Sequence, residues 1–126
     1  MSARRNAVNS YKFGAIADSQ EASPHRLIQL LFESALQRIS LAKGALLRNE
    51  TSQKGLEIGR AIAVIGGLRD SLDLSQGEIA QNLDQLYQYM ERRLLDANLK
   101  NDITKLDEVR GLLNDIKSAW DTIALS

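Results

Sequence analysis

Residues 77–98 read Gly77-Glu78-Ile79-Ala80-Gln81-Asn82-Leu83-Asp84-Gln85-Leu86-Tyr87-Gln88-Tyr89-Met90-Glu91-Arg92-Arg93-Leu94-Leu95-Asp96-Ala97-Asn98. No proline interrupts the stretch. Its apolar residues Ile79, Leu83, Leu86/Tyr87, Met90, Leu94 and Ala97 recur at steps of three and four. That spacing lines one face of an α-helix and leaves the other face to charged and amide side chains. Ser75-x-x-Glu78, just ahead of the run, has the form of a capping box. The stretch predicts one uninterrupted amphipathic helix, ended by a turn over residues 98–101.

The same period recurs on either side. Pro24 is the only proline. It follows Ser23, a good cap, and occupies the first helical position, where no amide donor is missed. The inward positions of that first helix are Ile28, Phe32, Ala35, Ile39, Ala42 and Leu46, with Asn49-Glu50 ending it. Thr51 or Ser52 is placed to cap a second helix with the stripe Ile58, Ala61/Ile62, Ile65, Leu68 and Leu72. That helix also carries Gly55, Gly59, Gly66 and Gly67. Interior glycines cost up to ~1 kcal/mol each relative to alanine. Asn101 or Asp102 caps a fourth helix with the stripe Leu106, Val109, Leu113, Ile116, Trp120 and Ile123, and Asp107 and Glu108 near its positive end. Four helices of roughly 20–25 residues with short links pack as neighbours in opposite senses. The expected fold is all-α: an antiparallel up-down-up-down four-helix bundle over residues 23–126, one domain, with residues 1–22 as a loosely packed N-terminal arm. In the arm the apolar anchors are Val8, Tyr11, Phe13 and Ile16.

Composition narrows the function. There is no cysteine, so neither a disulfide nor a thiolate metal site exists, which suits a reducing cytoplasm. Sixteen basic and sixteen acidic residues balance, and they interleave. A nucleic-acid partner normally demands concentrated positive charge, and Arg4-Arg5 reads as a solvated tail. No run approaches the ~20 apolar residues of a membrane span, and no apolar stretch follows the N-terminal arginines as in a secretory signal.

Catalytic chemistry lacks its parts. A di-iron bundle needs two Glu-x-x-His pairs, and the chain has one histidine, His25. A phosphotransfer bundle exposes its histidine in mid-helix, whereas His25 sits at a helix start and reads as a solvated end residue. No nucleophile elbow or phosphate-binding glycine loop occurs. Glu33, Glu57, Glu78, Glu91 and Glu108 lie on different helices and read as surface. No cofactor is expected.

What the seams leave over is apolar: Leu27, Leu30, Leu41, Leu56, Val64, Leu74, Leu95 and Ile103. Each alone is compatible with the flank of a core. Together they suggest surface for a partner. Gly59, Ala63, Gly66 and Gly67 recur along one face of the second helix and lower it, for tight packing inside the bundle or for an incoming amphipathic helix. Tyr87 shares the seam, while Tyr89 points elsewhere, toward solvent or a groove edge. Trp120 fits the seam of the fourth helix. The expected partner contacts are Leu27, Leu30, Leu56, Gly59, Ala63, Val64, Gly66, Gly67, Tyr89 and Leu95. Asn82 and Arg93 also remain unexplained by the seam.

Three motifs resemble one family. Ser23-Pro24-His25-Arg26-Leu27-Ile28-Gln29-Leu30-Leu31-Phe32 matches its Ser-Pro-x-x-Leu-Ile-x-x-Leu-Phe pattern. Residues 77–98 match Gly-Glu-Ile-Ala-x-Asn-Leu-x-x-Leu-Tyr-x-Tyr-Met followed by Arg-Arg-Leu-Leu-x-Ala-Asn. The end shows Glu108-Val109-x-x-Leu112-Leu113 and Ala119-Trp120. In order and spacing these are similar to the flagellar secretion chaperone FliS family, from about Val8 to Ile123. The resemblance implies a cytoplasmic, non-enzymatic type III export chaperone. It would hold the disordered C-terminal segment of flagellin in apolar grooves, prevent premature polymerisation, and aid delivery to the export gate through the cytosolic domain of FlhA. It also implies that Val8 and Tyr11 form an apolar-x-x-Tyr element that packs on the bundle where client helices would otherwise lie. Many members have Gly-Gly before Glu-Ile where this chain has Gln76-Gly77, so the turn there is expected to differ. The alternative reading is a four-helix adaptor or a homodimer without a dedicated export client; a phosphotransfer module built on His25 comes third.

Overall fold

The structure is a computed structural model and describes residues 23–123. Val8 and Tyr11 lie outside the described residues. Four α-helices follow one another: α1 (Pro24–Leu47), α2 (Thr51–Asp70), α3 (Glu78–Lys100) and α4 (Ile103–Ile123). A short 3-10 turn, Leu74–Gln76, precedes α3. No strand occurs among the described residues.

Each helix packs on its neighbour in sequence, and α4 returns to α1. Side-chain bonds fix the senses. Gln29 near the start of α1 donates to Asp121 near the end of α4 at 2.8 Å. Lys43, near the end of α1, pairs with Asp107, near the start of α4, also at 2.8 Å. Lys54 at the start of α2 donates to the Asn98 carbonyl at the end of α3 (2.9 Å), and Arg69 at the end of α2 pairs with Asp84 near the start of α3 (3.0 Å).

The seams meet as their period requires. Phe32, Ile39, Ile58, Ile65, Leu68, Met90, Leu94, Leu106, Val109 and Leu113 are fully buried. Ile28, Leu46, Ile62, Leu72, Leu83, Leu86, Ile116 and Trp120 pack around them, half-buried. Two seam positions do not close. Ile79 is 78% exposed and Ile123 is 56% exposed. Both lie at the end of the bundle where α3 starts and α4 stops, and there no described residue covers them. Leu31 and Ala45, off the expected seam of α1, are buried.

The helix ends explain the connections. The Ser23 hydroxyl accepts the Arg26 amide (3.1 Å) with Pro24 at the first position. Thr51 and Ser52 do not cap α2. The link after α1 is so short, with Asn49 already left-handed at φ 59°, that the helix restarts at Thr51 with Glu50 in the cap position and no side-chain bond. The capping box at Ser75 is also absent. Ser75 sits inside the 3-10 turn and bonds back to Asp73, which caps that turn. Gly77 occupies the cap position of α3 at φ 108°, ψ −158°, a conformation open to glycine alone. The single glycine before Glu78-Ile79 is therefore the one the turn needs. At the other end α3 continues to Lys100, further than the expected turn at residue 98. It stops on Asn101 in the left-handed conformation, and Asp102 then caps α4 by accepting the Thr104 amide at 3.0 Å.

The glycines of α2 have no packing reason. A methyl group at Gly55, Gly59, Gly66 or Gly67 would meet no atom closer than 3.6 Å, the Leu31 side chain at Gly67. They soften the helix without being required by a neighbour. Two substitutions should move stability in opposite directions. Gly59→Ala should stabilise by up to about 1 kcal/mol, whereas Gly77→Ala should destabilise by roughly 1–3 kcal/mol through backbone strain. Denaturant titration of both variants checks the pair; equal signs would contradict this assignment of the two backbones.

Candidate functional site

Because the seam fails to close at one end, an apolar groove of about 580 Å³ opens there. Ile28 and Phe32 of α1, Leu68 of α2, Ile79, Leu83 and Tyr87 of α3, and Ile116, Trp120 and Ile123 of α4 line it. The apolar walls follow from the seams themselves, since these are core-facing positions that run past the end of the packed core. Tyr87 forms part of the floor, and burial pushes its phenol up to about 12.

A second groove of about 490 Å³ lies beside it, between the start of α1 and the end of α2. Pro24, His25, Leu27, Ile28, Leu31, Gly67 and Trp120 contribute to its walls. His25 is not a solvated end residue. Its ring is stacked on Trp120, with centroids 4.6 Å apart and planes within 7°. The Trp120 indole N–H donates to the His25 carbonyl oxygen at 3.1 Å. His25 Nε2 is buried without a hydrogen-bond partner. The antiparallel return of α4 onto α1 brings these two rings together across 95 positions of sequence, so neither helix alone predicted the contact.

The expected partner contacts fall into separate places. Leu27 and Gly67 share the second groove. Leu30 is half-buried on α1. Leu56 is 48% exposed, and with Gly59 and Ala63 it forms the outer face of α2, away from both grooves. Gly66 turns toward Glu91 of α3. Val64 is in the core, 3% exposed, and presents no surface. Leu95 is 59% exposed on α3. Tyr89 is tied down between α3 and α4. Its hydroxyl donates to Glu108, and Arg93, which pairs with Glu108 at 2.7 Å, lies 5.6 Å from its ring centre. The residues that sequence reasoning did not assign to a surface are Ile79, Ile123, Trp120 and Ile28. The available signal was their position at the ends of their seams.

The carboxylates expected at the surface are mostly paired. Glu57 is buried at 3% exposure and accepts from Arg38 and Gln53 and pairs with Arg60. Glu91 pairs with Arg69 at 3.0 Å. Bonds hold three others below the usual carboxylate range: Asp84 chiefly through Arg69, Asp96 chiefly through Lys105, and Glu108 chiefly through the Tyr89 hydroxyl, with Arg93 adding to it. Among the described residues no group of His, Asp and Glu is placed to hold a metal ion, and no helix is long and apolar enough to cross a membrane.

Comparison with known proteins bears on this geometry. A family model described as flagellar protein FliS matches residues 5–126. The flagellar secretion chaperone FliSB of Pseudomonas aeruginosa is 51% identical over 109 residues, covering 86% of each chain. The flagellar secretion chaperone FliS of Vibrio cholerae is 40% identical, over 94% of this chain and 89% of its own. That of Salmonella typhimurium is 46% identical, over 82% of this chain and 78% of its own.

The paired carboxylates set an acid limit. A folded-state pKa below the unfolded value contributes stability that is present above the unfolded pKa and is lost as pH falls through the folded one. Stability should therefore be level near neutrality and decline below about pH 4. Glu108→Gln should remove part of that decline. Denaturant melts between neutral and acid pH measure it; an identical pH profile in the variant would dismiss the Tyr89–Glu108–Arg93 cluster as a contributor.

Proposed function

The chain belongs to the flagellar protein FliS family, and on that premise we propose that it is a flagellar secretion chaperone whose client is the C-terminal segment of flagellin. The observation that carries the proposal is the unclosed end of the seam. Ile79 and Ile123 stand exposed over a groove walled by Ile28, Leu83, Ile116 and Trp120. That is the surface an amphipathic helix covers with residues at i, i+3, i+4 and i+7. We read the architecture as an antiparallel up-down-up-down four-helix bundle over residues 23–126, a single domain, because bonds between opposite ends join α2 to α3, α3 to α4 and α4 to α1, and the link from α1 to α2 is short.

In this reading the client is disordered when free and folds onto the bundle as helical pieces. Leu27 and Gly67 meet it in the groove beside His25. Leu30, Leu56, Gly59, Ala63, Gly66, Tyr89 and Leu95 are contacts for segments that wrap further, and Val64 supports them from the core. Residues 1–22, with Val8 and Tyr11, act as an arm that competes with the client. Shielding the segment prevents premature polymerisation, and the complex is handed to the cytosolic domain of FlhA at the type III export gate. The protein works in the cytoplasm, as a binding module and not an enzyme. One observation favours a second reading: Leu95 and Leu99, one turn apart on α3, are 59% and 81% exposed away from both grooves, which suits a homodimer of the free protein.

Titrating the chain with a peptide of the flagellin C-terminus separates the readings. A one-to-one gain in helix by circular dichroism is expected for the chaperone, and Ile79→Lys should weaken that binding by roughly tenfold or more, the equivalent of about 1.4 kcal/mol. No binding at tens of micromolar peptide, with a concentration-dependent dimer by ultracentrifugation, supports the homodimer instead. Deleting residues 1–20 should change the peptide dissociation constant; an unchanged value would remove the competing arm from the mechanism.

A further inference from the structure

Ile28 and Trp120 line both grooves, so together they form the ridge that separates them. His25 covers one face of that ridge through its parallel stack on the indole. The stack is imperfect. An imidazole nitrogen must donate or accept, and His25 Nε2 does neither, although it is shut away from water. No other buried side-chain nitrogen or oxygen among the described residues is left in that state. The desolvation cost of the unmet nitrogen works against the favourable contact of the two rings.

The two rings are also held differently. The indole is anchored through its N–H to the His25 backbone carbonyl, a bond that does not involve the imidazole. Among the described residues the imidazole makes no hydrogen bond, and it rests on the stack. It belongs to the second residue of α1, directly after Pro24, in the first turn of that helix, so no earlier turn of α1 itself lies against the side chain. The ring can therefore leave while Trp120 and α1 stay in place.

We propose that the His25 side chain is a displaceable latch: when a client helix is seated, the imidazole swings off Trp120 into water, Nε2 regains a hydrogen bond, and an apolar client side chain takes over the indole face. The two grooves then join into one track over Ile28 and Trp120. The identity of the client rests on the chaperone reading above. The latch itself rests on the unmet nitrogen.

His25→Phe tests it, because phenylalanine keeps a stacked ring and removes the nitrogen. In the free protein the variant should melt roughly 4 °C or more above wild type. It should also bind the flagellin C-terminal peptide roughly tenfold more weakly, since the tighter ring must still be displaced. His25→Ala should bind no more weakly than wild type. By NMR, the His25 ring protons should lie upfield in the free wild-type protein, through the indole ring current, and should lose that shift at saturating peptide. A His25→Phe melt at or below wild type overturns the latch, and so does an upfield shift that persists in the complex. If wild type fails to bind the peptide, the client reading falls, and the melt, which needs no client, still decides whether the stack carries an unmet nitrogen.

Discussion

Ala35, Ala42 and Ala45 of α1 and Ala61 of α2 have no exposed surface at all. The three on α1 sit on the side that carries Leu31, which faces Gly67 of α2, and Arg38, which pairs with Glu57 of α2. A methyl side chain lets two helices approach more closely than paired leucines would, since interaxial distance follows the size of the residues at the contact. Among the described helices the interface between α1 and α2 is the most extensive. Larger residues at the neighbouring positions, Phe32, Ile39, Ile58, Ile65 and Leu68, then form one continuous apolar floor. Onto it α3 and α4 lay Tyr87, Met90 and Leu94, and Leu106, Val109 and Leu113. The groove exists because the start of α3 and the end of α4 carry their apolar residues, Ile79 and Ile123, past the point where the floor meets them.

The sequence made the core legible and left its limits obscure. A period of three and four says which face of a helix turns inward, and nearly every seam residue obeys. It does not say how far a neighbouring helix reaches. Ile79 and Ile123 keep the period and are exposed, because they lie beyond the reach of a partner and not because they point the wrong way. Val64 failed for the complementary reason. A buried face is broader than a line of seam positions, and an apolar residue one step off the line was counted as surplus. Gln76 in place of a first glycine was recognised as a departure from the family pattern, but only the backbone angles of Gly77 show why one glycine suffices.

Polar contacts were hidden for a different reason. Lys54 is 3% exposed and donates to the Asn98 carbonyl and to Asn101. It thus places a positive charge against the negative end of α3 and satisfies acceptors that the helix end leaves open. Its partners lie more than forty positions away, so no local pattern marks it. Glu57, read as a surface acid, is buried because Arg38 of α1 meets it from across the interface while Arg60 and Gln53 bracket it on its own helix. Tyr89, surplus to the seam, is absorbed by Glu108 of α4 and by Arg93 one turn further along α3. Residues conspicuous in a sequence can be explained by a distant partner in the same chain, and the inconspicuous isoleucines at the seam ends proved to be the exposed apolar surface.

The return of α4 onto α1 has a practical corollary. Ser23 and Ile123, the first and last described residues, flank the same end of the molecule, because the His25–Trp120 contact joins the start of one helix to the end of the other. Ile123 is itself a wall of the larger groove. An affinity tag, a fluorescent domain or a tethered peptide joined directly after α4 emerges at the groove mouth, where it competes for space with whatever binds there. A reporter meant to leave both apolar grooves free is better placed in the link between α1 and α2 at the opposite end, where residues 48–50 are exposed and line neither of those two grooves.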